Sequence, residues 1–304
     1  MDRRNAVKLI SAAGAGLSLG FKSFDLDTSN IRARAIGTTN EMLPVVGLGT
    51  WQTFDVGSNS TERDALTQVL RELRNYGGSV VDSSPMYGRS EEVVGELSAK
   101  LGITNELFMA TKVWTSGKQS GINQMNQSMQ LMKKPKMDLM QIHNLLDWQT
   151  HIKTLKDWKE QGRIRYIGIT HYVSSAFSKM ESIMKSEPID FIQLNYSIDS
   201  REAENSILPL AKERGISVLI NRPYGGGSLF HKVKGKQVPD WAQEFDCDSW
   251  GQFFLKYLLS NEAVTCAIPG TSKPHHMVDN LKAGLGRLPS AKMRGRMIEL
   301  VGSL

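Results

Sequence analysis

From residue 31 onward the chain alternates between two hydrophobic patterns. Short, nearly continuous apolar runs occur at 45–50, 79–82, 107–112, 137–143, 164–170, 191–195, 217–221 and 264–269. Runs of this length, bounded by glycine and polar residues, read as strands buried on both faces. The stretches between them place apolar residues three and four apart, as in Ala65-Val69-Leu73, Val93-Leu97-Leu101 and Ile207-Leu210-Ala211. That is the spacing of a helix with one buried face. Ser90, followed by Glu91 and Glu92, is the N-cap candidate for one such helix. Strands alternating with helices call for right-handed crossovers and a parallel sheet, and eight such units close naturally into a ring. The predicted fold class is α/β, a (β/α)8 TIM barrel.

Three segments stand outside the repeat. Residues 31–46 read as a β-hairpin with a polar turn, suited to plugging the barrel floor. Residues 225–248 are too long for an ordinary strand–helix link, and long links in compact domains are usually functional or mobile. An extra C-terminal helix is expected over 291–300. The barrel domain therefore covers 31–304.

The ends of the apolar runs carry the chemistry. Asp82 closes the second, Tyr87 follows five residues later, Lys112 closes the third and His143 the fourth. Ionisable groups at successive strand ends are how a parallel barrel assembles an active site on one rim.

Composition alters this picture little. Of 304 residues, 40% are hydrophobic and 22% charged, which suits a soluble domain with a sizeable core. The net charge of +6 lies partly at the two ends and forms no basic face, which argues against nucleic acid as a partner. Cys247 and Cys266 fit no metal-ligand spacing and read as a loop thiol and a buried strand thiol. No apolar run approaches the roughly 18 residues needed to span a bilayer. The N-terminus differs: Arg3, Arg4 and Lys8 precede a short Ala- and Gly-rich apolar run, with polar residues to about position 30. Residues 1–30 resemble a twin-arginine signal, which implies the Tat export machinery as a partner and a periplasmic destination. An amphipathic surface helix is the alternative, and the protein would then be cytoplasmic.

Seven pieces from residue 36 onward resemble the aldo-keto reductase superfamily in order and spacing. They are GLGTW (47–51), Asp82 followed by SSPMYGRSEEVVG (83–95), ATKVW (110–114), DLMQIHN (138–144), GRIRYIGIT (162–170), FIQLNYS (191–197) and AIPGTSKPHHMVDN (267–280). The resemblance implies a barrel that reduces aldehydes or ketones with a nicotinamide cofactor, usually NADPH, and without a metal. Such a reaction needs a hydride from the cofactor and a proton from the protein. A lysine ammonium about 4 Å from a phenol is worth roughly 4 kcal/mol at an effective dielectric near 20. That would lower a tyrosine pKa by up to about three units. A buried lysine keeps its charge only beside a carboxylate. The expected roles are then Tyr87 as proton donor, Lys112 as its electrostatic tuner, Asp82 as the anchor of Lys112, and His143 as orienter of the carbonyl oxygen or sharer in proton delivery. Taken singly, each has an ordinary alternative: a helix cap, a loop aromatic, a surface charge, a strand-end histidine.

The resemblance also implies cofactor contacts. Gly49, Thr50 and Trp51 match the first loop, Thr170 and Gln193 the nicotinamide amide site, and Arg222 and Gly225 a pyrophosphate loop. Asn221 stands where many members stack a tyrosine on the nicotinamide. At the adenosine end a lysine and an arginine of many NADPH-using members are replaced by Gly270 and His276. Thr271, Ser272 and Lys273 can still bind phosphate, and Asp279 and Asn280 match the adenine side. NADP(H) is expected, with NAD(H) as an alternative. Trp51, Trp114 and Asn144 would line the pocket of a small-molecule carbonyl substrate. A cofactor-sensing binding module with little turnover is the competing reading.

Overall fold

In the computed structural model, which describes residues 31–304, eight parallel strands stand side by side in sequence order. They are β3 (Leu48–Gly49), β4 (Val80–Asp82), β5 (Phe108–Val113), β6 (Met137–His143), β7 (Ile164–His171), β8 (Phe191–Asn195), β9 (Ser217–Asn221) and β10 (Cys266–Ala267). The ring closes through parallel bridges Val46–Ala267 and Gly49–Gly270. The expected strands β6, β8 and β9 agree with the apolar runs to the residue. The first and last runs shrink to two paired residues each, because the closing seam is held by isolated bridges rather than a ladder. The export segment expected over 1–30 lies outside the described residues.

Alternation along each strand builds two cores. Inward-facing Val80, Phe108, Ala110, Leu139, Phe191, Leu219, Cys266 and Ile268 fill the barrel. Their neighbours, such as Met140, Ile192, Leu194, Val218 and Ile220, face outward onto the helices. Those helices are α1 (Ser60–Asn75), α2 (Ser90–Leu101), α3 (Lys118–Leu131), α4 (Trp148–Glu160), α5 (Phe177–Ser186), α6 (Ile207–Glu213), α8 (Trp250–Leu259) and α9 (Pro274–Lys282). The N-terminal hairpin pairs β1 (Ala33–Ala35) with β2 (Met42–Pro44) in antiparallel register. Its Ile36 and Leu43 enter the inner core, and Gly37 N–H donates to Ser217 Oγ at the start of β9. The hairpin thus plugs the end of the barrel where strands begin, as expected.

The long link after β9 is folded. It holds a short helix α7 (Ser228–Lys232) and a 3-10 segment (Asp240–Phe245). Trp241 and Phe245 of that segment pack on Phe253 of α8 at 5.7 and 6.1 Å between ring centroids. The final helix α10 (Ala291–Gly302) extends two residues beyond the expected span, buries Met297 and Val301, and anchors Arg294 to Glu204 at 2.6 Å. Cys247 and Cys266 are both buried and free. Ser90 is not the N-cap of α2. Arg89 occupies that position, and Ser90 is the first helical residue, its hydroxyl turned onto the Thr50 carbonyl at 3.4 Å. The serine ties the helix to the loop after β3 instead of capping it. No helix among the described residues is long and apolar enough to cross a membrane.

Candidate active site

The C-terminal ends of β4, β5 and β6 bring Asp82, Lys112 and His143 to one place, and the loop after β4 adds Tyr87. Lys112 is fully buried, so its ammonium must find partners within the protein. It donates to Asp82 Oδ2 at 2.6 Å and to the Ser83 carbonyl at 2.7 Å. Nζ lies 4.8 Å from the Tyr87 ring centroid. Burial alone would drive its proton off, but Asp82 and then Tyr87 outweigh that and hold the ammonium charged above its usual range. Asp82 is gripped from the other side too. Its Oδ1 accepts from Gln141 Nε2 at 3.0 Å and from Gln193 Nε2 at 2.8 Å. Three donors on two oxygens leave the carboxylate fixed in position.

Tyr87 departs from expectation in one respect. Its pKa is raised, not lowered: burial pushes the phenol up, and the pull of Lys112 offsets only part of that. The attraction of the ammonium, which alone sets the expectation from sequence, is smaller here than the cost of desolvating the phenolate. At rest Tyr87 is therefore a neutral phenol beside a permanent cation.

His143 stands edge-on to Tyr87, with ring centroids 5.9 Å apart. Burial first, then the Lys112 charge and His171, lower its pKa to about 3, so the ring is neutral at ordinary pH. Its Nδ1 lies 3.0 Å from Ser84 Oγ. Met86 N–H also donates to that hydroxyl, at 3.4 Å, which leaves it one acceptor site and its own proton, so either Ser84 or the ring can be the donor to the other. When Ser84 donates to Nδ1, the ring proton sits on Nε2. Ser84 and Gln141 are the residues that sequence reasoning missed. Gln141 was within reach of the period-two rule, since it shares the inward face of β6 with His143 two residues later. Ser84 carried no signal beyond lying between Asp82 and Tyr87.

The Tyr87 loop is held by the helix that follows it. Glu91 of α2 is buried and accepts hydrogen bonds from Thr111 Oγ1, the neighbour of Lys112 on β5, and from Ser128 Oγ of α3 at 3.1 Å. Burial raises its pKa despite those bonds. The helix carrying the phenol is thereby pinned to the strand carrying the ammonium.

The other expected site residues surround this centre unevenly. Five of the six large apolar side chains left exposed among the described residues, Trp51, Met86, Trp114, Tyr172 and Phe230, lie beyond the C-terminal ends of the strands. Trp51 and Trp114 thus stand at the mouth, and Asn144 opens a left-handed turn after β6 with φ of 53°. Gly49 and Gly270 meet in the closing bridge. Thr50 Oγ1 is buried and bonded to the Asp82 carbonyl at 3.0 Å and to Ser83 Oγ at 2.9 Å. Thr170 Oγ1 donates to Gln193 Oε1 at 3.1 Å, so Gln193 is engaged at both ends of its amide. Arg222 is exposed, and its guanidinium lies over the Gly225–Gly227 turn. At Gly226, with φ of 69°, a Cβ would come 3.0 Å from Arg222 Nη2, so any side chain there would displace the cation. Thr271 is buried and receives Lys273 N–H at 3.1 Å, while Ser272 and His276 are exposed beside the start of α9. Asp279 accepts from Ser249 and Gln252, both at 2.7 Å, and Asn280 accepts from Tyr224 at 2.6 Å. No group of His, Cys, Asp and Glu able to hold a metal occurs among the described residues.

The comparisons with known proteins agree with this architecture. A family model described as "Aldo/keto reductase family" matches residues 45–295. The chain is 26% identical to aldo-keto reductase YhdN of Bacillus subtilis, over 66% of this chain and 63% of that one. It is 25% identical to methylglyoxal reductase YeaE of Escherichia coli, over 83% of this chain and 89% of that one. Among solved structures, an aldo/keto reductase from Klebsiella pneumoniae in complex with NADP and acetate superposes with a TM-score of 0.70 at 20% identity. It covers 86% of this chain and 92% of its own.

Proposed function

Since the chain belongs to the aldo/keto reductase family, we propose that it is an NADP(H)-dependent reductase of aldehydes or ketones in which Tyr87 donates the proton. The observation that carries this reading is the buried Lys112–Asp82 pair beside the Tyr87 phenol. NADPH, when bound, supplies the hydride. The chain's own residues do the rest. Neutral His143 turns its Nε2–H toward the mouth and orients the carbonyl oxygen. Tyr87, kept protonated by its burial, gives its proton to that oxygen as it gains charge. The fixed ammonium of Lys112 then stabilises the phenolate left behind, where a low local dielectric strengthens the interaction. The high phenol pKa suits a donor, so the depression expected from sequence is not needed for reduction. Proton delivery by His143 is disfavoured, because the ring carries no extra proton to give.

NADP(H) is favoured by the cations at the rim, with Arg222 over the glycine turn and Lys273 capping α9. The bound NADP of the Klebsiella structure supports the same choice. Trp51, Trp114 and Asn144 would receive the substrate. Tyr87→Phe is expected to cut turnover of small aldehydes roughly a hundredfold or more while the NADPH dissociation constant stays within about twofold. Near-wild-type turnover would remove Tyr87 as the donor. NADPH binding with no oxidation by any carbonyl would favour the cofactor-sensing reading. We also propose export through the Tat machinery, on residues 1–30 alone. Recovery of the intact chain only from the cytoplasmic fraction would end that proposal.

A further inference from the structure

Trp114 lies one residue past the end of β5, where the ladder to β6 has already stopped at Val113. Gln124 of α3 takes the place of a neighbouring strand there. Its Oε1 accepts from the Trp114 N–H at 2.6 Å, and its Nε2 donates to the Trp114 carbonyl at 3.2 Å. One carboxamide thus closes on both polar groups of a single residue, which fixes the direction in which the indole leaves the loop. Two further bonds hold the same loop. His151 of α4 is fully buried and donates from Nε2 to the Thr115 carbonyl at 2.7 Å. Asp147 Oδ2, at the start of that helix, accepts from Gly117 N–H at 2.7 Å. The docking of α3 does not depend on the clasp: the helix buries Gly121, Met125, Ser128 and Met129, whereas Gln124 is half-buried. What the clasp does govern is the indole. Trp114 is 41% exposed, and its ring lies 6.2 Å from that of His143, which in turn stands 5.9 Å from Tyr87.

We propose that Gln124 is a positioning residue for substrate choice. By clasping the Trp114 peptide it presets the indole as a wall beside His143, and that wall favours carbonyl substrates bearing a flat apolar group, such as aromatic aldehydes. The inference rests on the reductase reading above and concerns which carbonyls that site serves. A small aldehyde meets His143 and Tyr87 with its oxygen and buries little against the indole. An aryl group gains most of its binding from contact with a ring already in place. An indole free to turn has to be ordered at the moment of binding, and that cost falls on the aryl substrate alone. Gln124 touches neither substrate nor cofactor in this arrangement and acts through Trp114.

The test separates KM from kcat for two substrates, propanal and benzaldehyde, at saturating NADPH. Gln124→Ala should raise the benzaldehyde KM roughly tenfold while its kcat, and both constants for propanal, stay within about twofold of wild type. Gln124→Glu keeps the acceptor for the Trp114 N–H and loses the donor to its carbonyl, so its benzaldehyde KM should rise only about threefold. In a Trp114→Ala chain the wall is gone, and adding Gln124→Ala should change the benzaldehyde KM by no more than about twofold. An equal rise in KM for both aldehydes would mean general loosening of the mouth and overturns the proposal. So does a tenfold effect that persists without Trp114. If Gln124→Ala fails to fold, the same cycle run with Gln124→Glu decides. A wild-type chain that reduces propanal but not benzaldehyde overturns the inference and leaves the reductase reading standing. One that oxidises NADPH with no carbonyl refutes that reading, and the inference with it.

Discussion

At the scale of single residues, the site is governed by competition between burial and charge. Lys112 and His143 are both buried, yet they end in opposite states. Lys112 has Asp82 at 2.6 Å and stays charged, whereas His143 meets a hydroxyl and a nearby cation and stays neutral. This has a consequence for stability. A histidine whose pKa falls from 6.5 to about 3 on folding binds fewer protons in the folded state than in the unfolded state across that interval. Its contribution is fully present above pH 6.5 and is lost progressively as pH falls toward 3. Between pH 7 and pH 5 the wild-type chain should lose on the order of 2 kcal/mol more than His143→Gln does. Urea unfolding at the two pH values measures this, and equal losses in both proteins would contradict the assignment of a neutral buried ring.

At the scale of elements, the Tyr87 loop is only as well placed as the helix behind it. Helix α2 touches α3 at Gly95, where an added Cβ would sit 1.9 Å from the Leu131 carbonyl oxygen and 2.8 Å from Met132 Cα. Backbone cannot yield as a flexible side chain can, so the helices would have to part. Overpacking of this kind costs about 1–3 kcal/mol. Gly95→Ala should lower the urea midpoint accordingly. It should also slow turnover, because Glu91 on the same helix would be drawn away from Thr111, next to Lys112. An unchanged midpoint would show that α2 and α3 are less tightly coupled than their contact implies.

For the whole molecule, the barrel separates stability from chemistry along its axis. The hairpin fills the floor with Ile36 and Leu43, both almost fully buried, while the reactive groups stand at the other end of the strands. Ile36→Ala and Leu43→Ala should each cost about 2–5 kcal/mol, the usual range for emptying a core position. The NADPH dissociation constant of either folded variant should stay within about twofold of wild type. A large change in affinity would mean that the floor and the mouth are mechanically linked.

Much of this organisation was legible in the chain. Eight apolar runs and the helical spacing between them determined the barrel, because a strand buried on both faces and a helix buried on one leave distinct periods in sequence. The strand ends likewise pointed to Asp82, Tyr87, Lys112 and His143, since closure of a parallel ring sends all those ends to one rim. What the chain could not specify was which side chains meet across the lumen. Ser84 reaches His143 over 59 positions, and Gln193 reaches Asp82 over 111. Such pairs follow from the closed ring and leave no local period. Nor could it set the balance at Tyr87, because desolvation depends on how much of the folded protein surrounds a group, and only the tertiary structure decides that.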